Sequence, residues 1–261
     1  MSGDSHEAPP GFVACAVGRT RAVCAEAVTD EVRGILHHQT LYDYAAASPG
    51  ARAIAGRGTA YVASLPGGER VVVRHNRHGG ALAPLTRDLF RAPTRAPLEL
   101  RISEQLRVLG IPTPVMLAYA TYPAAPGLWR ADVVTRYVAP SADLSAVLLS
   151  NDEEMREEAW DATASLLAEM SRAGVRHHDL NAKNVLLSLR PDSPAVAMVL
   201  DVDRVVFGEN PAHALEGNLN RLARSFRKWR SLYGARVDES EIDALARRVR
   251  AATAAPSTAR S

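Results

Sequence analysis

The stretch "VRHHDLNAKNVLLS", residues 175–188, places two histidines, an aspartate and two asparagines side by side and then becomes apolar. A polar cluster followed by a run of β-forming residues is typical of a loop that leads into a buried strand. Asp179 and Asn184 lie five residues apart within it. The segment is either an active-site loop or a polar turn in which Asp and Asn cap a helix–loop–strand connection.

A third oxygen-bearing side chain, Asp201, follows Asp179 by 22 residues, at the end of the apolar run "AMVL". A loop and a strand end can bring Asp179, Asn184 and Asp201 to one point. Carboxylate and amide oxygens suit Mg²⁺, which binds one or two protein groups together with water and phosphates. Phosphoryl transfer needs an aspartate to orient the acceptor hydroxyl and further oxygens to hold the metal. The spacing therefore favours a phosphotransferase.

Composition excludes several other classes of protein. The 261 residues suffice for one large domain or two lobes, and 47% hydrophobic with 23% charged residues is typical of a soluble globular chain. A net charge of +2 argues against a nucleic-acid partner. Cys15 and Cys24 are too few for a disulfide framework, and the polar start "MSGDSHEAPPG" lacks the apolar region of a signal peptide. A cytoplasmic enzyme is expected.

The pattern along the chain predicts an α+β protein with two lobes. Two β-rich runs, "GRGTAYVAS" and "VVVRH", form a hairpin across "LPGGER". A first helix has Leu98, Ile102, Leu106 and Leu109 on one face, and a second begins after Asn151 or Asp152. The predicted units are a disordered start (1–10), a β-rich N-lobe with one helix (11–138), a mainly helical C-lobe (139–250) and a flexible tail (251–261).

The polar loop and the aspartate that follows it resemble the two catalytic segments of kinases. "HHDLNAKN" resembles the catalytic loop H-x-D-L-x-x-x-N, and "LDVD" resembles the metal-binding Asp triplet, with Val for Phe and Asp for Gly. The resemblance implies that Asp179 is the catalytic base, that His177 braces the loop, and that Asn184 is a catalytic-loop residue. It also implies that Asn184 and Asp201 bind Mg²⁺. A two-lobed, protein-kinase-like fold with the nucleotide between its lobes is then expected.

The first half of the chain resembles a nucleotide-binding lobe, with departures. "GRGTAY" resembles a glycine-rich phosphate loop and implies that Gly56 and Gly58 contact ATP, although Tyr61 stands where the third glycine belongs. A plain glycine turn is the alternative. In "VVVR", Arg74 stands at the position that a lysine usually occupies. An arginine can also bind phosphates there, although the geometry of its guanidinium differs from that of an ammonium group. Arg77 is the alternative to Arg74.

A glutamate that orients this arginine is expected on the first helix. Glu99, followed after ten residues by "GIPTP", resembles the helix glutamate of sugar and aminoglycoside kinases. Glu104 competes for the role, and a solvated helix face is the plainer interpretation of either residue.

Four stretches of the chain are similar to segments of one family of sugar kinases. "VVVRHNRHGG" is similar to R-H-Y-R-R-G-G, "HHDLNAKNVLL" and "LDVDR" to H-x-D-L-N-x-x-N-I-L and D-F-D-R, and "NLNRLARSFRKW" to N-L-x-R-L-x-R-S-x-x-K. These are segments of the 3-deoxy-D-manno-octulosonic acid (Kdo) kinases in the lipopolysaccharide kinase superfamily. The resemblance implies ATP- and Mg²⁺-dependent phosphorylation of Kdo, or another inner-core sugar, on a lipid A–core precursor at the cytoplasmic face of the bacterial inner membrane.

Other functions remain open. Only 60 residues follow Asp201, and Asn181 replaces a lysine usual in protein kinases, so a protein substrate is disfavoured. A small-molecule phosphotransferase of the aminoglycoside or choline type is one alternative. A nucleotide-binding pseudokinase is another, because of Arg74 and the missing third glycine.

The segment 218–229 predicts an amphipathic helix. Its apolar face carries Leu219, Leu222, Ala223, Phe226 and Trp229, and most other positions are basic. Such a helix can lie on an anionic membrane surface or contact substrate phosphates. The alternative is an ordinary helix with its apolar face in the core and its arginines in solvent.

Overall fold

The computed structural model describes residues 8–54, 59–76, 90–91 and 94–254. The chain divides into two compact units, Met1–Glu104 with Pro114–Tyr137, and Gln105–Thr113 with Val138–Ser261. The first unit is rich in strands and the second is mainly helical. The predicted α+β class, with a β-rich part preceding a helical part, is therefore confirmed.

The first unit is built on an antiparallel sheet in the order β1-β2-β7-β8-β5-β4-β3, with β6 paired to β8. The strands are β1 (Phe12–Val17), β2 (Thr20–Ala25), β3 (Arg52–Ile54), β4 (Ala60–Ser64), β5 (Arg70–His75), β6 (Phe90–Arg91), β7 (Met116–Ala125) and β8 (Leu128–Arg136). The hairpin β4–β5 is the one that the sequence predicted. Alternation along β5 buries Val71 and Val73, which leaves Arg74 on the opposite face.

The first unit contains more helix than the sequence predicted. One helix was expected, whereas the structure has α1 (Thr29–Leu36), α2 (Leu41–Ala47) and part of α3 (Ala96–Val108). The first two helices are too short for their apolar spacing to stand out in the sequence. They form a buried cluster on the sheet through Val32, Leu41 and other residues, and the start of α3 contributes Leu100 to a second cluster.

Helix α3 was located correctly, but its predicted apolar face was only half right. Ile102 and Leu106 are buried as expected, whereas Leu98 and Leu109 are exposed. Leu100 and Glu99 are buried instead. The spacing placed Leu98 and Leu109 on the core face and left out Leu100, and it gave no reason to turn a carboxylate inward.

The second unit combines four helices with two small sheets. The helices are α4 (Leu144–Leu149), α5 (Glu153–Arg172), α6 (Pro211–Tyr233) and α7 (Glu239–Ala254). The strands are β9 (Ser141–Asp143), β10 (Arg176–His177), β11 (Val185–Ser188), β12 (Val196–Val199) and β13 (Val205–Val206), paired as β12-β11-β9 and β10-β13. Among the described helices, none combines the length and apolarity needed to cross a bilayer.

The ends of α5 follow the sequence signals. Asp152 is the N-cap, and its carboxylate accepts a hydrogen bond from the Met155 N–H at 3.0 Å. Gly174 follows the helix with φ +62°, a conformation that glycine adopts without strain. At the other end of the unit, α7 continues to Ala254, four residues into the segment predicted as a tail. The short polar segment between Gly174 and β11 is where the predicted catalytic residues lie.

Candidate active site

The predicted catalytic loop is folded around the main chain of Asp179. The Asp179 N–H donates to Nδ1 of His177 at 3.0 Å. Its carbonyl oxygen accepts hydrogen bonds from the side-chain amides of Asn181 and Asn184, each at 2.9 Å. Because the N–H and the carbonyl of Asp179 are both hydrogen-bonded, its main chain has a fixed position, from which the half-exposed side chain extends.

His177 links this loop to the residue that precedes Asp201. The ring is fully buried, and Nε2 lies 2.9 Å from the carbonyl oxygen of Leu200. Because Nδ1 accepts the Asp179 N–H, Nε2 must carry the proton and donate to Leu200. Burial lowers the pKa of His177, which favours this neutral form. The structure therefore gives His177 the contacts that a loop brace needs.

Asn184 and Asp201 belong to segments that are joined by a main-chain hydrogen bond. The Leu200 N–H donates to the carbonyl oxygen of Asn184 at 2.9 Å. Asp201 has φ +53° and ψ +47°, and it starts a 3₁₀ turn over Val202–Arg204. This left-handed conformation is uncommon outside glycine, although aspartate tolerates it better than most residues. It turns the chain sharply at the end of β12, where Asp201 was predicted to bind a metal.

The side-chain oxygens of Asn184 and Asp201 are suitable ligands for the Mg²⁺ of a bound nucleotide. The amide nitrogen of Asn184 is used by the Asp179 carbonyl, so its Oδ1 is the atom left for a cation. Within the described residues, no three His, Cys, Asp or Glu side chains converge as they would in a metal site built wholly by protein. Two hard oxygen ligands suit Mg²⁺, whose remaining positions are normally filled by phosphates and water.

The first unit brings together Arg74 and Glu99. Arg74 Nη2 donates to Glu99 Oε1, and the Glu99 side chain is 9% exposed. Of the two glutamates considered for this role, Glu99 is the one that Arg74 contacts. Gly56, Gly58 and Arg77, the other residues considered for binding ATP, lie outside the described residues.

A second polar cluster beside Arg74 escaped the sequence analysis. His75 Nδ1 lies 2.6 Å from Oδ1 of the fully buried Asp132, whose Oδ2 accepts the Tyr42 N–H at 3.0 Å. The Tyr42 ring stacks on His75 with 3.6 Å between centroids. One buried carboxylate thus ties the start of α2 to the end of β5, next to the arginine predicted to bind phosphates.

Helix α6 holds the catalytic loop along its whole length. Asn218 is completely buried, accepts the His177 N–H and donates to the Val175 carbonyl oxygen, both at 3.0 Å. About two turns further along the helix, the Ser225 hydroxyl accepts a hydrogen bond from the Ala182 N–H at 3.0 Å. The segment "NLNRLARS" was interpreted only by its family resemblance and its charges, so roles for the asparagine and the serine were not predicted. Their signal was that polar residues interrupt an otherwise apolar face.

Arg221 lies between these two anchors on the same helix. Its Nη1 is 3.9 Å from Oδ1 of Asp179, and the two side chains are 39% and 41% exposed. At this distance the two groups form an ion pair but not a hydrogen bond. A cation therefore stands beside the predicted base, with both groups open to solvent.

The apolar face of α6 is packed as the plainer interpretation of its sequence predicted. Leu219, Leu222 and Phe226 are buried, as expected for a core helix. Arg227 and Arg230 both pair with Glu239 of α7, at 2.7 and 2.9 Å, so one carboxylate offsets part of their charge.

Comparison with known proteins places the chain in a family. The model of the lipopolysaccharide kinase (Kdo/WaaP) family matches residues 51–248. The chain belongs to this family. The match includes the loop around Asp179, Asp201, Arg74, Glu99 and nearly all of the helical unit, and it identifies the protein as a kinase. The α1–α2 segment that the sequence analysis missed precedes the match.

Three curated relatives of the chain share one name. A "3-deoxy-D-manno-octulosonic acid kinase" from Actinobacillus succinogenes is 31% identical over 179 residues, which is 67% of this chain and 72% of the relative. One from Vibrio vulnificus is 31% identical over 195 residues, covering 73% and 78%. One from Xylella fastidiosa is 30% identical over 198 residues, covering 74% and 72%.

A solved structure of the same family shares the fold. The structure "WaaP in complex with acyl carrier protein" aligns with a TM-score of 0.50 at 18% identity, over 89% of this chain and 99% of that chain. The similarity supports the two-lobed, kinase-like α+β fold predicted from the two catalytic segments.

Proposed function

We propose that this kinase transfers the γ-phosphoryl group of ATP to a hydroxyl of Kdo, or of another inner-core sugar, on a lipopolysaccharide precursor. The observation that carries the proposal is the loop in which both main-chain groups of Asp179 are hydrogen-bonded while its carboxylate is left half-exposed. The names of the relatives support the choice of Kdo.

Asp179 is the proposed base. Its carboxylate accepts the proton of the sugar hydroxyl as the oxygen attacks phosphorus. Efficient proton transfer requires the carboxylate to stay within hydrogen-bond reach of that hydroxyl. The bonds from His177 to its N–H, and from Asn181 and Asn184 to its carbonyl, limit how far the carboxylate can move.

Asn184 and Asp201 are the proposed ligands of Mg²⁺, which when bound supplies positive charge against the transferring phosphoryl group. The contribution of the chain is to hold the two ligands in fixed segments. His177 and the Leu200–Asn184 hydrogen bond keep the end of β12 beside the catalytic loop. Arg74, oriented by buried Glu99, is proposed to bind phosphate oxygens of ATP, and Gly56 and Gly58 to contact them through main-chain N–H groups.

An acceptor panel tests this function directly. The purified chain is incubated with Mg²⁺–ATP and with a Kdo-bearing lipid A precursor, free sugars, an aminoglycoside or choline, and products are detected by mass. We expect the addition of one phosphate to the Kdo-bearing acceptor. Phosphorylation of an aminoglycoside or choline in its place would contradict the proposal, and nucleotide binding without turnover on any acceptor would indicate a pseudokinase.

Substitution of the base tests the assignment of Asp179 in the same assay. Asp179→Ala should lower kcat about 10²- to 10⁴-fold, the usual contribution of a general base, while the affinity for Mg²⁺–ATP stays nearly unchanged. His178→Ala is a matched control, because His178 is the exposed neighbour and the mechanism uses none of its side chain. Transfer that persists in Asp179→Ala would show that another group is the base.

We further propose that the enzyme works at the cytoplasmic face of the bacterial inner membrane. A lipid-linked acceptor requires the protein to approach a membrane surface, and the sequence carries excess positive charge near its C-terminal end. The contact is peripheral in this proposal, because none of the described helices could span a bilayer.

A further inference from the structure

Arg221 has free hydrogen-bonding capacity directly beside the proposed base. Its Nη1 is 3.9 Å from Oδ1 of Asp179, which is too far for a hydrogen bond. In the part of the chain that the structure describes, its guanidinium donates to no acceptor. By contrast, Arg227 and Arg230 on the same helix both donate to Glu239.

The catalytic loop does not need Arg221 to hold its shape. Asn218 and Ser225, one on each side of Arg221 along α6, already bind the main chain of the loop at His177 and Ala182. The arginine shares their helix face but extends past the main chain to the exposed carboxylate of Asp179. The position of Arg221 is therefore better explained by contact with a substrate that approaches Asp179 than by a role in stabilising the loop.

Any acceptor of this enzyme must come close to Arg221. Its hydroxyl has to lie about 2.6–3.2 Å from the base that takes its proton. Since the guanidinium is 3.9 Å from the same carboxylate, substituents on the acceptor ring pass within its reach. A guanidinium presents paired N–H donors that match the two oxygens of a carboxylate.

We infer that Arg221 binds a carboxylate of the acceptor sugar and thereby selects an acidic sugar over a neutral one. The inference rests on the proposed function, because the octulosonic acid named by the relatives carries such a carboxylate. Arg221 and Asp179 would then contact different groups of the same sugar residue. Arg221 fixes the acid group, and Asp179 takes the proton from the hydroxyl that is to be phosphorylated.

Two acceptors that differ only in charge test the inference. These are a Kdo glycoside and its methyl ester, which has the same hydroxyls but no carboxylate. The wild type should use the acid about 10- to 100-fold better in kcat/KM, as expected for a hydrogen-bonded ion pair. Arg221→Met should lose most of its activity on the acid, keep that on the ester, and so bring the ratio near one. Arg221→Lys should recover part of the preference, since the charge remains without the paired donors.

The matched control is Arg224→Met, which removes an exposed arginine one turn further along α6 whose Nε donates to the Asn220 carbonyl. It should keep the wild-type ratio. The KM for ATP and the thermal stability are measured for each variant, so that a nucleotide-binding or structural role of Arg221 shows itself separately. An unchanged acid-to-ester ratio in Arg221→Met would overturn the inference, whether or not the KM for ATP rises.

Failure of the inference differs from failure of the proposed function. If the wild type phosphorylates the acid and the ester equally well, the function stands and the role of Arg221 is wrong. If the wild type phosphorylates neither Kdo glycoside nor the lipid-linked Kdo but does phosphorylate a neutral sugar, the proposed acceptor is wrong, and selection of a carboxylate by Arg221 is overturned with it.

Discussion

Asp201 and Asp192 are the only non-glycine residues with positive φ in the described part of the chain. They differ in setting, because Asp192 lies in an exposed turn and Asp201 is half-buried at the end of β12. A left-handed residue costs about 1–2 kcal/mol outside glycine, although aspartate and asparagine tolerate it. The conformation of Asp201 is thus compatible with its proposed role as a metal ligand, and a substitution can test the two separately.

The substitution Asp201→Asn separates the backbone conformation of this residue from its proposed binding of a metal. Asparagine tolerates the left-handed conformation as well as aspartate does, so the free energy of unfolding should change by less than about 1 kcal/mol. The variant should lose most of the thermal stabilisation that saturating Mg²⁺–ATP gives the wild type, about 2.7 kcal/mol at 100 times Kd. Asp192→Asn, the same change in the same backbone conformation, should keep it. Equal stabilisation of all three proteins by Mg²⁺–ATP would contradict the role of Asp201.

His177 makes stability depend on pH with a defined sign. Burial lowers its pKa in the folded protein below the ordinary value of 6.5. Above pH 6.5 the ring is neutral in both the folded and the unfolded state, and its contribution is complete. As the pH falls below 6.5, the unfolded chain binds a proton that the folded protein does not, so stability is lost until the folded pKa is reached.

The pH dependence can be measured by denaturant unfolding at pH 7.5 and pH 5.5. Because the unfolded chain takes up a proton over this range that the buried ring resists, the wild type should lose up to about 1 kcal/mol more than His177→Gln, whose side chain does not titrate. The comparison uses the difference between the two pH values, which removes any constant cost of the substitution. An equal loss in both proteins would show that His177 is not held neutral.

Helix α6 supports the active site as a single element. Asn218, Arg221 and Ser225 follow at spacings of three and four, so they share one face. In the same order they contact the loop at His177, Asp179 and Ala182. Further along, Trp229 lies under the ammonium group of Lys183, 5.5 Å from its ring centre. The helix and the loop run side by side, and a shift of the helix would move every one of these contacts.

Asn218→Ala should weaken this support. It leaves the buried N–H of His177 and the carbonyl of Val175 without partners, which costs about 2–4 kcal/mol of unfolding free energy. Asn220→Ala, an exposed asparagine on the same helix, should change it by less than about 0.5 kcal/mol. Denaturant titration of both variants gives the comparison. If the two substitutions cost the same, the buried amide is not supporting the loop.

Across the whole molecule, charge is nearly balanced, with a net value of +2. Attraction to an anionic membrane therefore depends on which cations the fold leaves unpaired. Glu239 pairs with both Arg227 and Arg230 and offsets one of their two charges, while Glu216 pairs with Arg250 at 2.9 Å. Ion pairs this exposed add little to stability, so they can be removed without unfolding the protein.

Glu239→Gln tests the proposed membrane contact. By freeing two arginines on α6 it should raise binding to phosphatidylcholine vesicles that contain phosphatidylglycerol, by several-fold at low salt, and leave binding to pure phosphatidylcholine unchanged. Glu216→Gln makes the same change in net charge but frees one arginine on α7. A smaller increase is expected for it in the same sedimentation assay. The absence of any binding to anionic vesicles would contradict a peripheral membrane contact.

The features that sequence predicted well are those set within a short stretch of chain. The caps of α5, the hairpin β4–β5 and the polar loop around Asp179 each depend on the backbone preferences of a few consecutive residues. Asp201 was found because a fixed distance separates it from Asp179, with a single hairpin of β11 and β12 between them. Local spacing was thus enough for the class of fold, the proposed reaction and most of its candidate residues.

Packing between distant parts of the chain decided the rest. His177 and Asn218 are 41 residues apart, Ala182 and Ser225 are 43, and Tyr42 and Asp132 are 90. The sequence identifies none of these pairs, because even a polar residue that interrupts an apolar helix face does not show which distant segment it will contact. Only the position of α6 along the catalytic loop turns Asn218 into a support and brings Arg221 to the base, since a hydrogen bond or an ion pair exists only where folding places both partners.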